Sequence, residues 1–285
     1  METKNKIAVC IIFFEKVEQT IECISSAITN QVNVYVLNNN STVAATILIK
    51  AKFKDFDNVI FFESPINLGP AKGRNFLIEN CSEQWLFFLD NDIVIKTKNW
   101  YQHAINFTET HKDVEVFIPK LFNVHENSWA NFHEYKLVDN LIQGNIAKAK
   151  QTNCFPGGAS IVNKSLFLRL GNYSNNITVL EDYEFSIRGI MTSFPINALL
   201  IHNIELIHTH KYSKIKSDIK ATKIRYAKEQ YTLAEKYIEQ KYNVVFNSGW
   251  SIWVHAQLEL MVYKSVFKKI KNYLLIYRNR IKKLL

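Results

Sequence analysis

Glycine and proline are scarce in this chain, whose 285 residues include 8 glycines and 5 prolines. No Ser/Gly-rich linker, low-complexity tract or fixed-period repeat divides the sequence. Hydrophobic residues make up 47% of the chain, which is enough apolar surface to bury a large core. This composition excludes a disordered or fibrous protein. It leaves either one α/β domain with C-terminal additions or two domains.

Paired cysteines and long apolar runs are also missing. Cys10, Cys23, Cys81 and Cys154 lie far apart and form neither a Cys-x-x-Cys pair nor a Cys/His cluster. Their spacing gives no support to a disulfide framework or a structural zinc site and favours a reducing cytosol. The longest apolar run near the N-terminus, residues 7 to 14, is too short to span a bilayer, and no small-residue cleavage site follows it. We therefore expect neither a transmembrane helix nor a signal peptide.

Acidic residues are absent from residues 260 to 285, which carry eight lysines and arginines. The formal charge of the chain is +9, so the remainder sums to about +1, and we do not expect the body of the protein to bind nucleic acid. Apolar residues of this segment recur at intervals of four and three. The pattern predicts an amphipathic helix that lies on an anionic membrane surface, or packs on the protein's own core or a second subunit.

Strand-length apolar runs alternate with stretches of helical period in the first half of the chain, which predicts βαβ units and a mostly parallel sheet. We expect strands over residues 7–13, 32–37, 58–62, 85–89, 114–118, 159–162 and 204–208. We expect helices over residues 17–28, 69–80, 97–110, 180–191, 214–241 and 255–283, and one capped by Ser41 or Thr42. Residues 123–152 show no clear pattern and are interpreted as a mobile loop.

Two aspartates follow the fourth predicted strand in the motif Asp90-Asn91-Asp92. The carboxyl ends of parallel strands are where open α/β sheets bind their ligands. Two carboxylates at this spacing can share one divalent cation, and oxygen ligands suit magnesium or manganese. The spacing alone is equally compatible with two aspartates that only shape a turn.

A second acidic pair, Glu181-Asp182, lies on the predicted helix 180–191. A carboxylate at this place can accept a proton from an incoming hydroxyl if the chain brings it to the first pair. Further along the same helix, Glu184 and Arg188 are four residues apart and are interpreted as a surface ion pair.

Histidines and asparagines supply further candidates. His208 and His210 alternate with Thr209 at strand spacing, so their side chains share a face and either imidazole can be a metal ligand or a structural group. Asn38 and Asn39 end the second predicted strand, where their amides can contact a nucleotide or form a turn and a helix cap.

Taken together, these motifs resemble those of family 2 glycosyltransferases of the bacterial polysaccharide and lipopolysaccharide type, which have the GT-A fold. The resemblance covers roughly residues 6 to 213 in the family's motif order. The matching segments are Ile12-Phe13-Phe14-Glu15, Asn38-Asn39-Asn40-Ser41-Thr42, Asn67-Leu68-Gly69 with Arg74-Asn75, Phe88-Leu89-Asp90-Asn91-Asp92, Phe155-Pro156-Gly157-Gly158-Ala159, Glu181-Asp182 with Arg188, and Ile207-His208-Thr209-His210.

The resemblance implies an α/β GT-A domain over residues 1–213, followed by a helical region over 214–285. It implies an inverting transfer in which Asp182 deprotonates the acceptor hydroxyl, and a Mn²⁺ or Mg²⁺ ion that is held with the donor diphosphate. The implied metal ligands are Asp90, Asp92, His208 and His210, with Asp92 the more direct of the two aspartates. The implied nucleotide-sugar contacts are Phe13, Glu15, Asn38, Asn39, Arg74, Asp90 and Asn91, and the implied acceptor-side residues are Gly157, Gly158 and Glu181.

Two motifs depart from the family pattern. Glu15 stands where the family has Asn, and Asn38 and Asn39 stand where it has acidic residues. Because an amide both donates and accepts hydrogen bonds, the base of the donor stays open, with a UDP-sugar favoured. The basic segment would suit an enzyme that extends glycan or lipid-linked acceptors from the cytoplasm, on the inner face of the cytoplasmic membrane.

Three other classes of protein are alternatives. A non-catalytic, membrane-associated binding protein on the same scaffold is the main alternative, and retention of Asp90, Asp92 and Asp182 argues against it. A nucleic-acid-binding protein is disfavoured by the nearly neutral body of the chain. A nucleotidyltransferase would be expected to carry a Gly-rich phosphate-binding loop, and residues 7 to 17 contain no glycine.

Overall fold

The computed structural model describes residues 6–124, 126–147, 150–209 and 215–246. His210, the predicted helix 255–283 and the basic segment 260–285 lie outside the described residues, so the predictions on them stay predictions. Within the described ranges, no helix is both long and apolar enough to cross a membrane.

The first half of the chain forms the alternating units that the sequence predicts. Its elements are β1 Ile7–Phe13, α1 Val17–Ala27, β2 Asn33–Asn38, α2 Val43–Lys52, β3 Val59–Glu63, α3 Gly69–Asn80 and β4 Trp85–Asp90. Thr42 caps α2, because its side chain accepts a hydrogen bond from the amide of Ala45. β3, β2, β1 and β4 pair in that order and all run parallel.

The second half is less regular. Its elements are β5 Ile93–Ile95, α4 Trp100–Thr110, β6 Val116–Asn123, β7 Ser128–Trp129, β8 His133–Val138, β9 Leu141–Ile146, β10 Gln151–Thr152, β11 Ala159–Asn163, α5 Lys164–Leu170, α6 Glu181–Ile190, β12 Ala198–His208, α7 Lys216–Arg225, α8 Lys228–Tyr242 and β13 Val245–Phe246.

One central sheet joins the two halves, with its main strands in the order β10-β12-β6-β11-β4-β1-β2-β3. β11 lies antiparallel between β4 and β6, and most of the remaining long pairings are parallel. Alternate residues of β1 enter different cores: Ile7, Val9 and Ile11 pack on one side of the sheet, and Ala8 and Cys10 on the other. The prediction of a mostly parallel α/β sheet flanked by helices is confirmed.

The interpretation of residues 123–152 as a mobile loop is wrong. β8 and β9 form an antiparallel hairpin there, and β13 adds a third strand beside β9. Most side chains of this hairpin are exposed, so it lacks the apolar alternation by which a half-buried strand is recognised. Its buried Tyr135 and Ile142 pack in a third apolar cluster with residues of α6 and α8.

The predicted helix 214–241 is two helices, α7 and α8, with Tyr226 and Ala227 between them.

The interpretation of Glu184 and Arg188 as a surface ion pair is also wrong, because Glu184 is fully buried. Its carboxylate accepts hydrogen bonds from Arg188 (2.5 Å), from Lys241 Nζ (2.9 Å) and from the hydroxyl of Tyr242. These four residues, the anchoring cluster, attach α6 to α8.

Candidate active site

A cavity of about 600 Å³ lies at the carboxyl ends of β1, β2 and β4. Ile12 and Phe14 from the end of β1 and Asn39 from the end of β2 form part of its wall. Helix α7 closes the opposite side with residues at helical spacing, Asp218, Ala221, Thr222 and Arg225. The sheet therefore places the Asp90-Asn91-Asp92 segment, which also lines the cavity, in the position that parallel sheets use for ligands.

The two aspartates of that segment have different surroundings. The side chain of Asp90 is 52% exposed, whereas that of Asp92 is 10% exposed. Lys16 Nζ lies 3.0 Å from Asp92 Oδ2, and His208 Nε2 lies 3.2 Å from Asp92 Oδ1. Burial alone would raise the pKa of Asp92, but Lys16 and His208 hold it well below its ordinary value. Asp92 is therefore ionised at neutral pH.

Arg74 links the first acidic motif to the second. Its buried guanidinium donates from Nη1 to Glu181 Oε1 at 2.8 Å and from Nη2 to Asp90 Oδ1 at 3.2 Å. A buried arginine needs such partners, since an uncompensated charge in the interior is costly. Asp90 and Glu181 are thus brought together, although 91 residues separate them in the sequence. We call Arg74, Asp90, Glu181 and Asp182 the site cluster.

Gly157 and Gly158 allow this close packing. A Cβ at Gly157 would lie 2.7 Å from Arg74 Nη1, and one at Gly158 would lie 2.2 Å from the carboxylate of Asp90. The carbonyl of Gly158 also accepts a hydrogen bond from the amide of Asp90 at 2.8 Å. Any side chain at Gly158 would force Asp90 to move.

Asp182 lies in the first turn of α6 and is partly exposed. Its Oδ2 accepts a hydrogen bond from the amide of Gly157 at 3.2 Å, and its Oδ1 accepts one from the amide of Tyr183 at 3.0 Å. Burial raises the pKa of Asp182 to about 6; the negative charge of Glu181 adds to this rise and Arg74 opposes it. A carboxyl with this pKa is mostly ionised at pH 7 yet binds a proton more readily than an ordinary aspartate, as a general base requires.

The first motif is placed differently from the prediction. Phe13 is fully buried in the core, because it points to the opposite face of β1 from Ile12 and Phe14. The predicted contact of Phe13 with the nucleotide is therefore corrected: Phe14 lines the cavity instead. Glu15 is buried and accepts hydrogen bonds at 3.0 Å from the hydroxyls of Thr42 and Ser217. Its carboxylate joins the β1–α1 turn to α2 and α7.

The two predicted asparagines have separate roles. Asn38 shapes the turn after β2, since it donates to Thr46 Oγ1 (2.8 Å) and accepts from the amide of Ser41 (2.9 Å). Asn39 lines the cavity and bonds to Asn67 and to the amide of Leu68.

Asn91 donates to the hydroxyl of Thr20 at 2.9 Å, which directs its amide nitrogen toward α1. Asn91 still contributes to the wall of the cavity.

Three charged residues of the cavity were missed from the sequence: Lys16, Asp218 and Arg225. Arg225 Nη2 lies 3.9 Å from Glu181 Oε1 and so approaches the site cluster from α7. Lys16 had no recognisable signal, because a single lysine after a strand belongs to no motif. Asp218 and Arg225 had none either, because the residues that α7 turns toward the cavity do not form the apolar stripe by which a buried helix face is recognised.

Asp92 and His208 can hold a divalent cation together. Asp92 Oδ1 and His208 Nε2 are 3.2 Å apart, a separation that suits two neighbouring ligands of one ion. Carboxylate oxygens are among the ligands that suit manganese. Among the described residues, no group of three or more His, Cys, Asp or Glu side chains is arranged to hold a metal. A set of two fits an ion that keeps open positions for substrate phosphates rather than one enclosed by protein.

The family is shown by comparison with known proteins. Residues 8–171 match the model described as glycosyl transferase family 2. The chain therefore belongs to glycosyl transferase family 2.

Two curated proteins illustrate the relationship. An uncharacterised protein of Haemophilus influenzae is 31% identical over 98 residues, which make up 33% of this chain and 53% of that protein. A teichoic acid poly(glycerol phosphate) polymerase of Staphylococcus epidermidis is 21% identical over 224 residues, 71% of this chain and 31% of the polymerase. The chain thus spans about half or less of the length of these relatives.

Solved structures share the fold. TarS residues 1–349 of S. aureus, solved with UDP-GlcNAc, superimpose with a TM-score of 0.55 at 16% identity, over 88% of this chain and 79% of that one. The mannosyltransferase PcManGT of Pyrobaculum calidifontis, solved with GDP-Man and Mn²⁺, gives a TM-score of 0.55 at 11% identity. The match covers 98% of this chain and 81% of that one. The predicted GT-A fold is confirmed.

Proposed function

We propose that this protein is a metal-dependent, inverting glycosyltransferase that moves a sugar from a nucleotide-sugar donor to a hydroxyl of a glycan or lipid-linked glycan. The observation that carries the proposal is the double contact of Arg74 with Asp90 and Glu181. It brings a motif suited to a diphosphate next to a helix turn that carries a base. A transferase needs both groups within one sugar of each other.

Asp182 is the base in this mechanism. Its carboxylate takes the proton of the acceptor hydroxyl as that oxygen attacks the anomeric carbon, and the bond to the diphosphate breaks on the opposite face. The hydrogen bonds from the amides of Gly157 and Tyr183 orient the carboxylate for this step.

A divalent metal, when bound, would neutralise negative charge on the departing diphosphate. Asp92 and His208 would hold it, with Asp90 at the open side of the cavity. Arg74 keeps Asp90 in position through the contact at 3.2 Å and places its own positive charge beside the donor site.

The donor is a nucleotide sugar, with a UDP-sugar favoured. Family membership supports this, and the similar structures were solved with UDP-GlcNAc and with GDP-Man. Phe14 and Asn39 line the end of the cavity beside β2 and are the proposed contacts of the nucleoside.

The acceptor is proposed to be presented at the inner face of the cytoplasmic membrane. The basic, amphipathic residues 260 to 285 support this location, and so does similarity to a teichoic acid polymerase. Removal of residues 260–285 should abolish sedimentation with anionic liposomes, and unchanged sedimentation would overturn the membrane proposal.

A screen of sugar nucleotides by thermal unfolding, each with and without Mn²⁺, tests the function. A donor that binds the folded protein raises its melting temperature, and the stabilisation grows with the logarithm of the ligand concentration over Kd. This shift should require the metal. Release of nucleoside diphosphate in the presence of a glycan acceptor then measures turnover. If no nucleotide sugar stabilises the protein in the presence of manganese, the result would favour the alternative of a non-catalytic binding protein.

A further inference from the structure

The turn between β1 and α1 has an unusual backbone. Glu15 and Lys16 are consecutive non-glycine residues in the left-handed region, with φ of 56° and 40°. Each such residue costs about 1–2 kcal/mol, so the turn persists only because its surroundings fix it. Ser41 accepts a hydrogen bond from the amide of Glu15, and Thr42 and Ser217 bond to its carboxylate. The strained turn directs Lys16 toward the cavity.

Lys16 contacts the carboxylate that the metal needs. Its ammonium lies 3.0 Å from Asp92 Oδ2, while the other oxygen of Asp92 faces His208. The side chains of Lys16 and Asp92 are 21% and 10% exposed, so water screens this pair weakly. A divalent ion bound at Asp92 would be repelled by the ammonium as long as Lys16 stays in this place.

A second carboxylate lies on α7, in the wall of the same cavity. Asp218 of α7 is buried and lines the same cavity. Burial lowers the pKa of Lys16, but the charges of Asp92 and then Asp218 raise it above its ordinary value. The ammonium is therefore charged at all physiological pH values, and the negative charges of both carboxylates stabilise it.

We propose that Lys16 makes metal binding depend on the donor: without donor, its ammonium neutralises Asp92 and competes with the divalent ion, and with donor it turns to the diphosphate and Asp218. This inference rests on the proposed function, because it takes Asp92 to be a metal ligand. Lys16 is a positioning residue here, and its positive charge stays in the site in both states. The diphosphate brings the negative charge that lets ammonium and metal coexist.

Linkage gives the proposal a measurable form. If the donor raises the affinity for the metal by some factor, the metal raises the affinity for the donor by the same factor. Lys16 is the source of part of that factor, because it weakens metal binding only when no diphosphate is present. Removal of the ammonium should strengthen metal binding in the absence of nucleotide and reduce the coupling.

The test compares Lys16→Met with Lys72→Met, the same change at an exposed lysine of α3. Electron paramagnetic resonance measures free Mn²⁺ during titration of each purified full-length protein, first alone and then with saturating UDP or GDP. We expect Lys16→Met to bind Mn²⁺ about tenfold more tightly than wild type without nucleotide. Its gain in Mn²⁺ affinity on adding nucleotide should be smaller than that of wild type, and Lys72→Met should match wild type.

Asp218→Asn is a second variant, for which we expect a change in Mn²⁺ affinity of the opposite sign. Loss of the alternative carboxylate should keep Lys16 on Asp92 and weaken Mn²⁺ binding about threefold. This variant decides the question if Lys16→Met does not fold. Three results would overturn the proposal. The first is an unchanged or weaker Mn²⁺ affinity in folded Lys16→Met, and the second is an increase in Mn²⁺ affinity in Lys72→Met equal to that in Lys16→Met. The third is an unchanged Mn²⁺ affinity in Asp218→Asn.

The wild-type titrations separate this proposal from the proposed function. If wild type binds neither Mn²⁺ nor any nucleotide sugar, the proposed function fails and the role of Lys16 fails with it. If wild type binds both and Lys16→Met behaves like wild type, the function stands and only the role of Lys16 is wrong.

Discussion

Helix α6 contributes carboxylates to two charge clusters, which differ in the number of cations around those carboxylates. In the site cluster, Glu181 and Asp182 are adjacent and share Arg74, and the pKa of Asp182 is raised to about 6. In the anchoring cluster, Glu184 is buried too, yet Arg188 and Lys241 hold its pKa below the ordinary value. Burial pushes both values upward, so the number of cations per carboxylate decides the outcome. Two residues along one helix thus separate the proposed base from a structural carboxyl.

The largest expected effect is on turnover by Asp182→Asn. An amide cannot accept the acceptor proton, so kcat should fall by about 10²–10⁴-fold. Release of nucleoside diphosphate measures this rate, and Asp55→Asn at an exposed aspartate is the matched control. Turnover of Asp182→Asn close to wild type would mean that the two clusters do not differ in function.

The next largest effect is on stability, through Glu184→Gln. Loss of this charge leaves Arg188 and Lys241 without their shared carboxylate, which should lower the free energy of unfolding by about 3 kcal/mol. Chemical denaturation measures the change. The exposed Glu229 of α8 is the control, and Glu229→Gln should alter stability by less than about 0.5 kcal/mol. Equal effects of the two variants would contradict an anchoring role.

The pH dependence of the free energy of unfolding should reveal the raised pKa of Asp182. Its pKa is about 6 in the folded protein against an ordinary 3.8, so the folded state binds the proton more tightly. The carboxyl therefore favours folding below pH 4, and this contribution is lost as the pH rises through about 6. The asparagine of Asp182→Asn has no proton to lose in this pH range. The free energy of unfolding of this variant, relative to that of wild type, should therefore rise by about 2 kcal/mol between pH 4 and pH 7.

Denaturation at several pH values, with Asp55→Asn as the control, measures that difference. A difference that stays constant across this range would show that the pKa of Asp182 is not raised. The same ionisation should appear in kcat/KM, which is expected to rise with pH through about 6 because only the ionised carboxyl is a base.

The smallest expected effect belongs to Arg225→Met. Its guanidinium is 42% exposed and lies 3.9 Å from Glu181, so its loss should change stability by less than about 1 kcal/mol. A rise in KM of about threefold is expected, since Arg225 lines the cavity. Steady-state kinetics and denaturation together distinguish it from Arg188→Met, which should lose stability and keep KM. The reverse pattern would place Arg225 in an anchoring role.

The sequence predicted the first half of the fold well because its strands are buried on both faces. Residues 7–13 and 69–80 were predicted with the bounds that β1 and α3 have in the structure. The hairpin of β8 and β9 was missed because its side chains are mostly exposed and leave no apolar pattern. Glu184 was misjudged because helical spacing identifies a pair of residues but not the helix that covers them.

Site residues were likewise predicted where they belong to a sequence motif and missed where they do not. Asp90, Asp92 and Glu181 belong to motifs, and the structure brings these segments to one place through Arg74 and His208. Phe13 was assigned to the wrong face of β1, an error of one residue in a period of two. Lys16 escaped prediction because its importance comes from a strained turn and a contact 76 residues away. Such contacts are set by tertiary structure alone.

The anchoring cluster also has a geometric consequence for Asp182. Successive side chains on an α-helix point about 100° apart, so the direction of Asp182 is set by how α6 is rotated about its own axis. Glu184, less than one turn away, is held by Lys241 and Tyr242 of α8, and these bonds resist that rotation. Helix α8 therefore resists rotation of α6 and so helps to fix the direction of the proposed base.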